Sequence, residues 1–172
     1  MNYPQKPFRI NIGFMINQPI GYEREIPFQF SRFAFGGDLT TNNLDGALNL
    51  NRTHSGLRVF GDFSAVVEAE CVRCLDRFHQ NIRTTFEDLF TFNRKEISED
   101  ELLIPEDGFI DFEPLVRDYL LLAFPIKPVC REDCLGLCSI CGENLNERGC
   151  SHHPQNNENT PSLPSESAGA HA

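Results

Sequence analysis

Seven cysteines are the residues with the clearest chemical potential, and five of them fall within 21 residues of the chain. This density is typical of a metal site, because thiolates are strong ligands for zinc and related ions. The odd count, together with a first segment that lacks the basic and apolar regions of a secretory signal, argues against a disulfide framework. The seven are Cys71, Cys74, Cys130, Cys134, Cys138, Cys141 and Cys150.

Two short motifs strengthen the metal interpretation. Residues 138–142, Cys-Ser-Ile-Cys-Gly, have the form of a zinc knuckle, in which two intervening residues let both thiolates turn toward one ion. Further along, Cys150 and His152 form an alternate pair that can offer two ligands from one side of a turn. His152 brings the candidate ligands to eight, enough for two four-coordinate ions. With so many sulfur ligands and no open coordination position, zinc would be structural.

Two partitions of the candidate ligands are compatible with the spacing. In the first, one ion is bound by Cys138, Cys141, Cys150 and His152, and a second ion by Cys71, Cys74, Cys130 and Cys134. In the second, a single ion is bound by Cys130, Cys134, Cys138 and Cys141, and Cys71 and Cys74 are free thiols. The sequence therefore predicts at least one zinc ion, and two under the first partition.

The Cys-x2-Cys pair at 71 and 74 also permits a thiol redox function. In redox proteins such a pair opens a helix, whose N-terminus lowers the pKa of the thiol, whereas this pair lies between two predicted antiparallel strands. The sequence shows no phosphate-binding loop, nucleophile elbow or paired carboxylates. We therefore predict that the protein is not an enzyme and has no small-molecule substrate.

The elements that must position these cysteines begin with a β region over residues 1–92. Apolar residues alternate with polar ones from Phe8 to Ile16, and again over 57–71 and 78–90, which is the signature of half-buried strands. This pattern predicts an antiparallel meander with Cys71 and Cys74 at the tip of its longest hairpin. Strands this long predict a sheet that curls toward a barrel.

The remaining chain divides into three predicted parts. Residues 93–110 are charged and turn-forming, which indicates an acidic linker. Residues 111–153 comprise one amphipathic helix, with Asp111 as its N-cap and Pro125 after its end, followed by the Cys-rich zinc-binding segment. Residues 154–172 are polar and rich in Pro and Ser, which predicts a disordered tail. The fold class is thus α+β, mainly β.

Charge is distributed unevenly along the chain. Residues 1–94 carry ten basic and ten acidic side chains, so residues 95–172 hold the entire net charge of −10. Because RNA-binding footprints are usually basic, the acidic half predicts a basic protein partner, and any RNA surface falls on the β region. Arg73, Arg77 and Arg83 are its candidate RNA ligands. No apolar stretch is long enough to span a membrane, so we predict a cytoplasmic protein.

Three segments together resemble a known family. They are ECVRCLDRF (70–78), LVRDYLLLAFPIKPVC (115–130) and CREDCLGLCSICGENLNERGC (130–150), and their order and spacing resemble the YceD family of large-ribosomal-RNA-subunit accumulation proteins. The resemblance covers residues 8–152. Family members with the full cysteine cluster often end it in Cys-x-Cys, whereas this chain has Cys150-Ser-His152.

The resemblance implies a factor required for accumulation of 23S-type rRNA during biogenesis of the large ribosomal subunit. It implies no catalytic residues. The first hypothesis is a non-enzymatic factor that binds the large-subunit rRNA precursor or a ribosomal protein. The alternatives are a zinc-ribbon adaptor that binds a basic ribosomal protein through the acidic half, and a thiol redox protein that uses Cys71 and Cys74.

Overall fold

The computed structural model describes residues 6–92 and 101–152. Within these ranges the chain is mainly β, with one α-helix, as the alternation of apolar residues predicts. The elements in chain order are β1 (Arg9–Asn11), a 3-10 helix (Gly13–Asn17), β2 (Glu23–Phe35), β3 (Leu39–Arg52), β4 (Gly56–Glu70), β5 (Arg77–Thr91), β6 (Glu101–Leu103), β7 (Phe109–Asp111) and α1 (Glu113–Leu122).

The main sheet consists of β2 to β6 in chain order. The four long strands β2 to β5 are antiparallel neighbours, and β6 pairs in parallel with β5. The predicted curling toward a barrel is not supported, because in the described residues no sheet closes and β2 and β6 lie at opposite edges. Alternation predicts which face of a strand is buried, but it does not determine whether the two edge strands meet. Other elements cover the inner face instead.

The covering layer consists of segments that precede β2 and follow β6. β1 and β7 form a separate two-stranded sheet, and α1 contacts β5, β2 and β4. Aromatic rings fill the space between the layers: Phe8 stacks on Phe28 with ring centroids 4.5 Å apart, and Phe86 stacks on Tyr119 of α1 at 4.4 Å. Burial of these rings is the main stabilising contribution at this contact.

Gly61 in β4 makes room for the ring of Phe86, since a Cβ at this position would lie 2.3 Å from two of its ring carbons. Phe86 is held between Phe63 and Tyr119 and has little space to move. We expect Gly61→Ala to lower the free energy of unfolding by about 1–3 kcal/mol, measured by urea denaturation. Gly37→Ala is the matched control, because nothing lies within 4 Å of the added methyl group. Equal stability of the two variants would contradict the prediction.

The N-terminal strand predicted from Phe8 to Ile16 is wrong beyond its first residues. β1 ends at Asn11 and a 3-10 helix follows, with the Asn11 side-chain oxygen accepting the N–H of Gly13 at 2.9 Å. The buried residues are Phe8, Ile12 and Met15, and the helical turn is what brings Ile12 and Met15 to the same side. The apolar residues at even positions therefore have the spacing of a strand, although part of the segment is helical.

Two other predicted boundaries can be compared with the described residues. In the predicted linker at 93–110, residues 101–103 form β6 and β7 begins at Phe109, while 93–100 lie outside the described residues, as does the predicted tail at 154–172. α1 begins at Glu113 with Phe112 as its N-cap, so the predicted N-cap at Asp111 is wrong by one residue. The Asp111 side chain still accepts the N–H of Glu113 at 3.1 Å. No helix in the described part of the chain is long and apolar enough to cross a membrane.

Candidate metal centres

The tip of the β4–β5 hairpin positions Cys71 and Cys74. The Cys71 N–H donates to the carbonyl of Asp76 at 2.9 Å, and its own carbonyl accepts the N–H of Leu75 at 2.9 Å. Leu75 adopts a left-handed conformation with φ 63°, which turns the chain back into β5. Both thiols are buried, because this tight turn directs them toward the segment that follows α1.

That segment returns to the hairpin and brings two further cysteines. The Val72 N–H donates to the carbonyl of Pro128 at 3.0 Å, which places Cys130 and Cys134 beside the tip. The four residues Cys71, Cys74, Cys130 and Cys134, here called the N-terminal group, have sulfur atoms that all lie within 4.8 Å of one another.

The sulfur separations in the N-terminal group match metal coordination. Cys71 and Cys134 have their Sγ atoms 3.8 Å apart, and those of Cys74 and Cys130 are 3.7 Å apart. Four thiolates at about 2.3 Å from a tetrahedral zinc ion lie about 3.8 Å from one another. A disulfide requires about 2.05 Å. The group therefore fits a four-coordinate ion and not a pair of disulfides.

The thiols of this group differ in acidity. Burial opposes ionisation of Cys71, but the backbone N–H groups of Cys74, Cys130 and Arg73 favour its thiolate and lower its pKa to about 6. Burial raises the pKa of Cys74 and of Cys130. One thiolate stabilised by backbone donors beside protonated neighbours is a suitable starting point for metal binding, since the metal ligand is the thiolate.

Four later residues form a second set, the C-terminal group: Cys138, Cys141, Cys150 and His152. Their ligand atoms also lie within 4.8 Å of one another, with Cys150 Sγ 3.9 Å from His152 Nδ1. After Cys141 the chain turns at Gly142 with φ 76°, a conformation that favours glycine. Backbone N–H groups of Cys141 and Ile140 lower the pKa of Cys138 to about 6.

The N-terminal and C-terminal groups have the same members as the two ligand sets of the first partition considered above. The single-ion alternative needs Cys130 and Cys134 to join Cys138 and Cys141, whereas the structure assigns these pairs to different groups. The redox alternative needs a separate reactive pair, whereas Cys71 and Cys74 share their group with two further cysteines. Both groups could hold a metal ion, and the identity of that ion as zinc stays a prediction.

Sequence reasoning gave no role to Asn144 and Asn146, although both belong to the Asn-Leu-Asn motif after the knuckle. The Asn146 amide donates to Cys134 Sγ at 3.4 Å, and the Asn144 amide donates to Asp76 at 3.0 Å. Side chains that hydrogen-bond to metal ligands orient them and tune their affinity. The only sequence signal was the presence of two amides within five residues of Cys141.

The three arginines proposed as RNA ligands all have protein partners. Arg73 donates to the carbonyl groups of Glu132 and Cys134 at 3.1 and 3.0 Å, so it joins the hairpin to the loop of the N-terminal group. Arg77 pairs with Glu68 at 3.3 Å. Arg83 donates two hydrogen bonds to Asp62, at 3.1 and 2.8 Å. RNA binding by these residues stays a prediction.

The similarity of this chain to known proteins covers both ligand groups. A family model described as large ribosomal RNA subunit accumulation protein YceD matches residues 59–164, which is more than half of the chain and includes every candidate metal ligand. The chain belongs to the YceD family. The resemblance inferred from the cysteine motifs is therefore confirmed.

Individual relatives resemble this chain over 60–65% of its length. A protein of Mycobacterium leprae is 35% identical over 107 residues, covering 60% of this chain and 48% of the relative. One of Mycobacterium tuberculosis is 33% identical over 116 residues, covering 65% and 56%. The chloroplastic YCED homolog 1 of Arabidopsis thaliana, named as a large ribosomal RNA subunit accumulation protein, is 28% identical over 134 residues, covering 60% and 42%.

This member of the YceD family spans about half the length of the curated relatives it matches. No solved structure gives a significant match to it.

Proposed function

We propose that this chain is a non-enzymatic factor that supports accumulation of 23S-type rRNA during biogenesis of the large ribosomal subunit, and that it holds two structural zinc ions. The observation that carries the proposal is the family match over 59–164, which includes both ligand groups. The cytoplasm is the expected location, although a related protein is named as chloroplastic.

The ligand chemistry supports zinc at both groups. Four sulfurs, or three sulfurs and one imidazole, are the typical ligands of structural zinc. When bound, zinc supplies a tetrahedral cross-link between chain segments. In the N-terminal group that cross-link joins the β4–β5 hairpin to the segment after α1, two regions separated by more than 50 residues. The ions would thus fix the Cys-rich segment against the sheet.

The charges on the outer face of the sheet support a basic protein as the direct partner. Strand register places seven acidic and four basic side chains on this face, which faces away from α1. The acidic ones are Glu23, Glu25, Asp45, Asp62, Glu68, Glu70 and Glu87, and the basic ones Arg32, Arg58, Arg77 and Arg83. The net charge of the β region does not reveal this acidic excess, because the other basic residues of the region lie off the outer face.

The outer face also contains a shallow cavity of about 420 Å³ where small residues leave space between charged ones. Glu25, Asp45 and Asp62 line it together with Arg83, and Arg83 is itself paired with Asp62. An acidic concave surface attracts Lys- and Arg-rich polypeptide and repels phosphate. A basic ribosomal protein therefore fits this face better than the rRNA precursor does.

Depletion of the protein is expected to lower the ratio of 23S-type to 16S-type rRNA in its cells, measured on total RNA. A restored wild-type copy should recover the ratio. A copy with Glu25→Gln and Asp45→Asn should recover it only in part, because both changes remove negative charge from the outer face. The matched control is Arg77→Gln and Arg83→Gln, which should recover the ratio fully if the partner is basic.

The outcomes separate the alternatives. An unchanged ratio on depletion would overturn the role in large-subunit biogenesis. Failure of the arginine copy together with full recovery by the acidic-face copy would instead favour direct RNA binding, because phosphate contacts depend on arginine.

A further inference from the structure

One short segment links the two ligand groups. Residues 143–146, here called the asparagine segment, lie in sequence between Cys141 and Cys150 of the C-terminal group. The Leu145 N–H nevertheless donates to the carbonyl of Gly136 at 2.9 Å, in the loop that follows Cys134. The Glu143 carbonyl accepts the N–H of Cys138 at 2.8 Å. The segment therefore contacts the backbone beside both groups.

Asn146 uses its side-chain amide on the N-terminal group. Its Nδ2 donates to Cys134 Sγ at 3.4 Å, while its Oδ1 accepts the N–H of Leu135 at 2.9 Å and a guanidinium N–H of Arg131 at 2.8 Å. A donor at the sulfur orients the ligand atom, and an acceptor one residue later fixes the backbone that carries it. Asn146 thus holds Cys134 in position from outside the ligand set.

Asn144 completes the link to the hairpin tip. Its Nδ2 donates to Asp76 Oδ2 at 3.0 Å, and its Oδ1 accepts both the backbone N–H and the amide of Asn146 at 3.0 and 2.9 Å. Asn144 also forms a β-bridge with Leu137. The two asparagines therefore hold together the hairpin tip, the loop after Cys134 and the chain of the C-terminal group.

We propose that Asn144 and Asn146 couple the two centres, so that a metal ion at either group strengthens binding of an ion at the other. An ion at the N-terminal group orders the loop after Cys134, and this loop orders the asparagine segment between the ligands of the C-terminal group. The second ion then binds a segment that is already partly ordered, so less conformational entropy is lost when it binds. Because coupling is reciprocal, loading in the opposite order gives the same factor. This inference rests on the proposed metal binding.

Titration of the full reduced chain with Co²⁺ tests the coupling. Tetrahedral Co²⁺ absorbs differently with four sulfur ligands than with three sulfurs and a nitrogen, so each group can be followed separately. In the variant Cys71→Ser/Cys74→Ser, which lacks the N-terminal site, the C-terminal group should bind Co²⁺ about 5–150-fold more weakly than in the unsubstituted chain. Asn146→Ala, which keeps all eight ligands, should weaken the N-terminal group by about 10–100-fold and the C-terminal group as well.

Asn81→Ala is the matched control, because Asn81 is exposed on the outer face of β5 far from either group in the sheet register. It should leave both affinities unchanged. Unaltered affinity of the C-terminal group in both Asn146→Ala and the double serine variant would overturn the coupling while leaving metal binding intact. Absence of both sets of absorption bands in the unsubstituted chain would overturn metal binding itself.

Discussion

Chelation of the zinc-loaded chain is expected to unfold residues 126–152 while the sheet of β2 to β5 stays folded. The two parts have separate apolar cores. The large core lies between the sheet, α1 and the N-terminal residues, whereas a small cluster around Cys71, Cys74 and Cys134 is the core beside the metal centres. A segment with so few buried apolar groups depends on its metal, which contributes about 10–16 kcal/mol per structural site in zinc-finger peptides.

Two measurements check this result. Zinc content should be two ions per chain, falling to one in Cys71→Ser/Cys74→Ser and to one in Cys138→Ser/Cys141→Ser. Hydrogen exchange should show that chelation removes protection from two N–H groups of the metal-bound segment: that of Leu137, which donates to the carbonyl of Arg73 at the hairpin tip, and that of Leu145, which donates to the carbonyl of Gly136. Amides that pair β3 with β4 should keep their protection.

Serine is a near match for cysteine in size, so these variants test the ligand and not the packing. A further control is Ser151→Ala, since Ser151 lies between two ligands and is exposed. It should leave the zinc content at two. Loss of protection throughout the sheet on chelation, or a chain that keeps residues 126–152 ordered without metal, would contradict the separation of the two cores.

The sequence was sufficient to predict the hairpin that carries Cys71 and Cys74. β4 and β5 alternate over 15 residues each, and a short turn joins them, so the faces of both strands follow from period-2 burial. The same alternation places acidic residues on the outer face, because Asp62, Glu68 and Glu70 alternate with the buried apolar residues of β4. Net charge summed along the chain does not reveal such segregation.

The meeting of distant segments could be given from the sequence only as one of two ligand partitions. Cys74 and Cys130 meet only because α1 packs on the inner face of the sheet and directs the following chain back to the hairpin tip, where Val72 bonds to Pro128. Tertiary packing of this kind leaves no local pattern. The role of Asn146 was hidden for the same reason: an asparagine after a knuckle resembles an ordinary turn residue until Cys134 is placed beside it.

Acidification is expected to release metal from both groups over a narrow pH range. Protons compete with metal for thiolates, so each proton displaced on binding changes the affinity about tenfold per pH unit. In the N-terminal group, Cys74 and Cys130 have pKa values that burial raises, so both lose a proton when they bind metal near pH 7. Affinity there should rise at least about 100-fold from pH 7 to pH 8.

Below pH 6 the dependence should become steeper. The pKa of Cys71 is lowered to about 6, so its thiolate is present above that value and is lost as the pH falls through it. The same holds for Cys138 in the C-terminal group. Each adds one displaced proton at low pH. Competition with a chelator at several pH values, corrected for protonation of the chelator, measures the slope, and a slope below two protons per ion at the N-terminal group between pH 7 and pH 8 would contradict the prediction.

His152 provides the matched test, because it is the one non-sulfur ligand in the two groups. A neutral imidazole binds metal without losing a proton, whereas a thiol must lose one. We therefore expect His152→Cys to increase the slope of the C-terminal group by about one proton between pH 7 and pH 8, and to leave the slope of the N-terminal group unchanged. An unchanged slope at the C-terminal group would mean that residue 152 is not a ligand, and that three cysteines bind this ion without it.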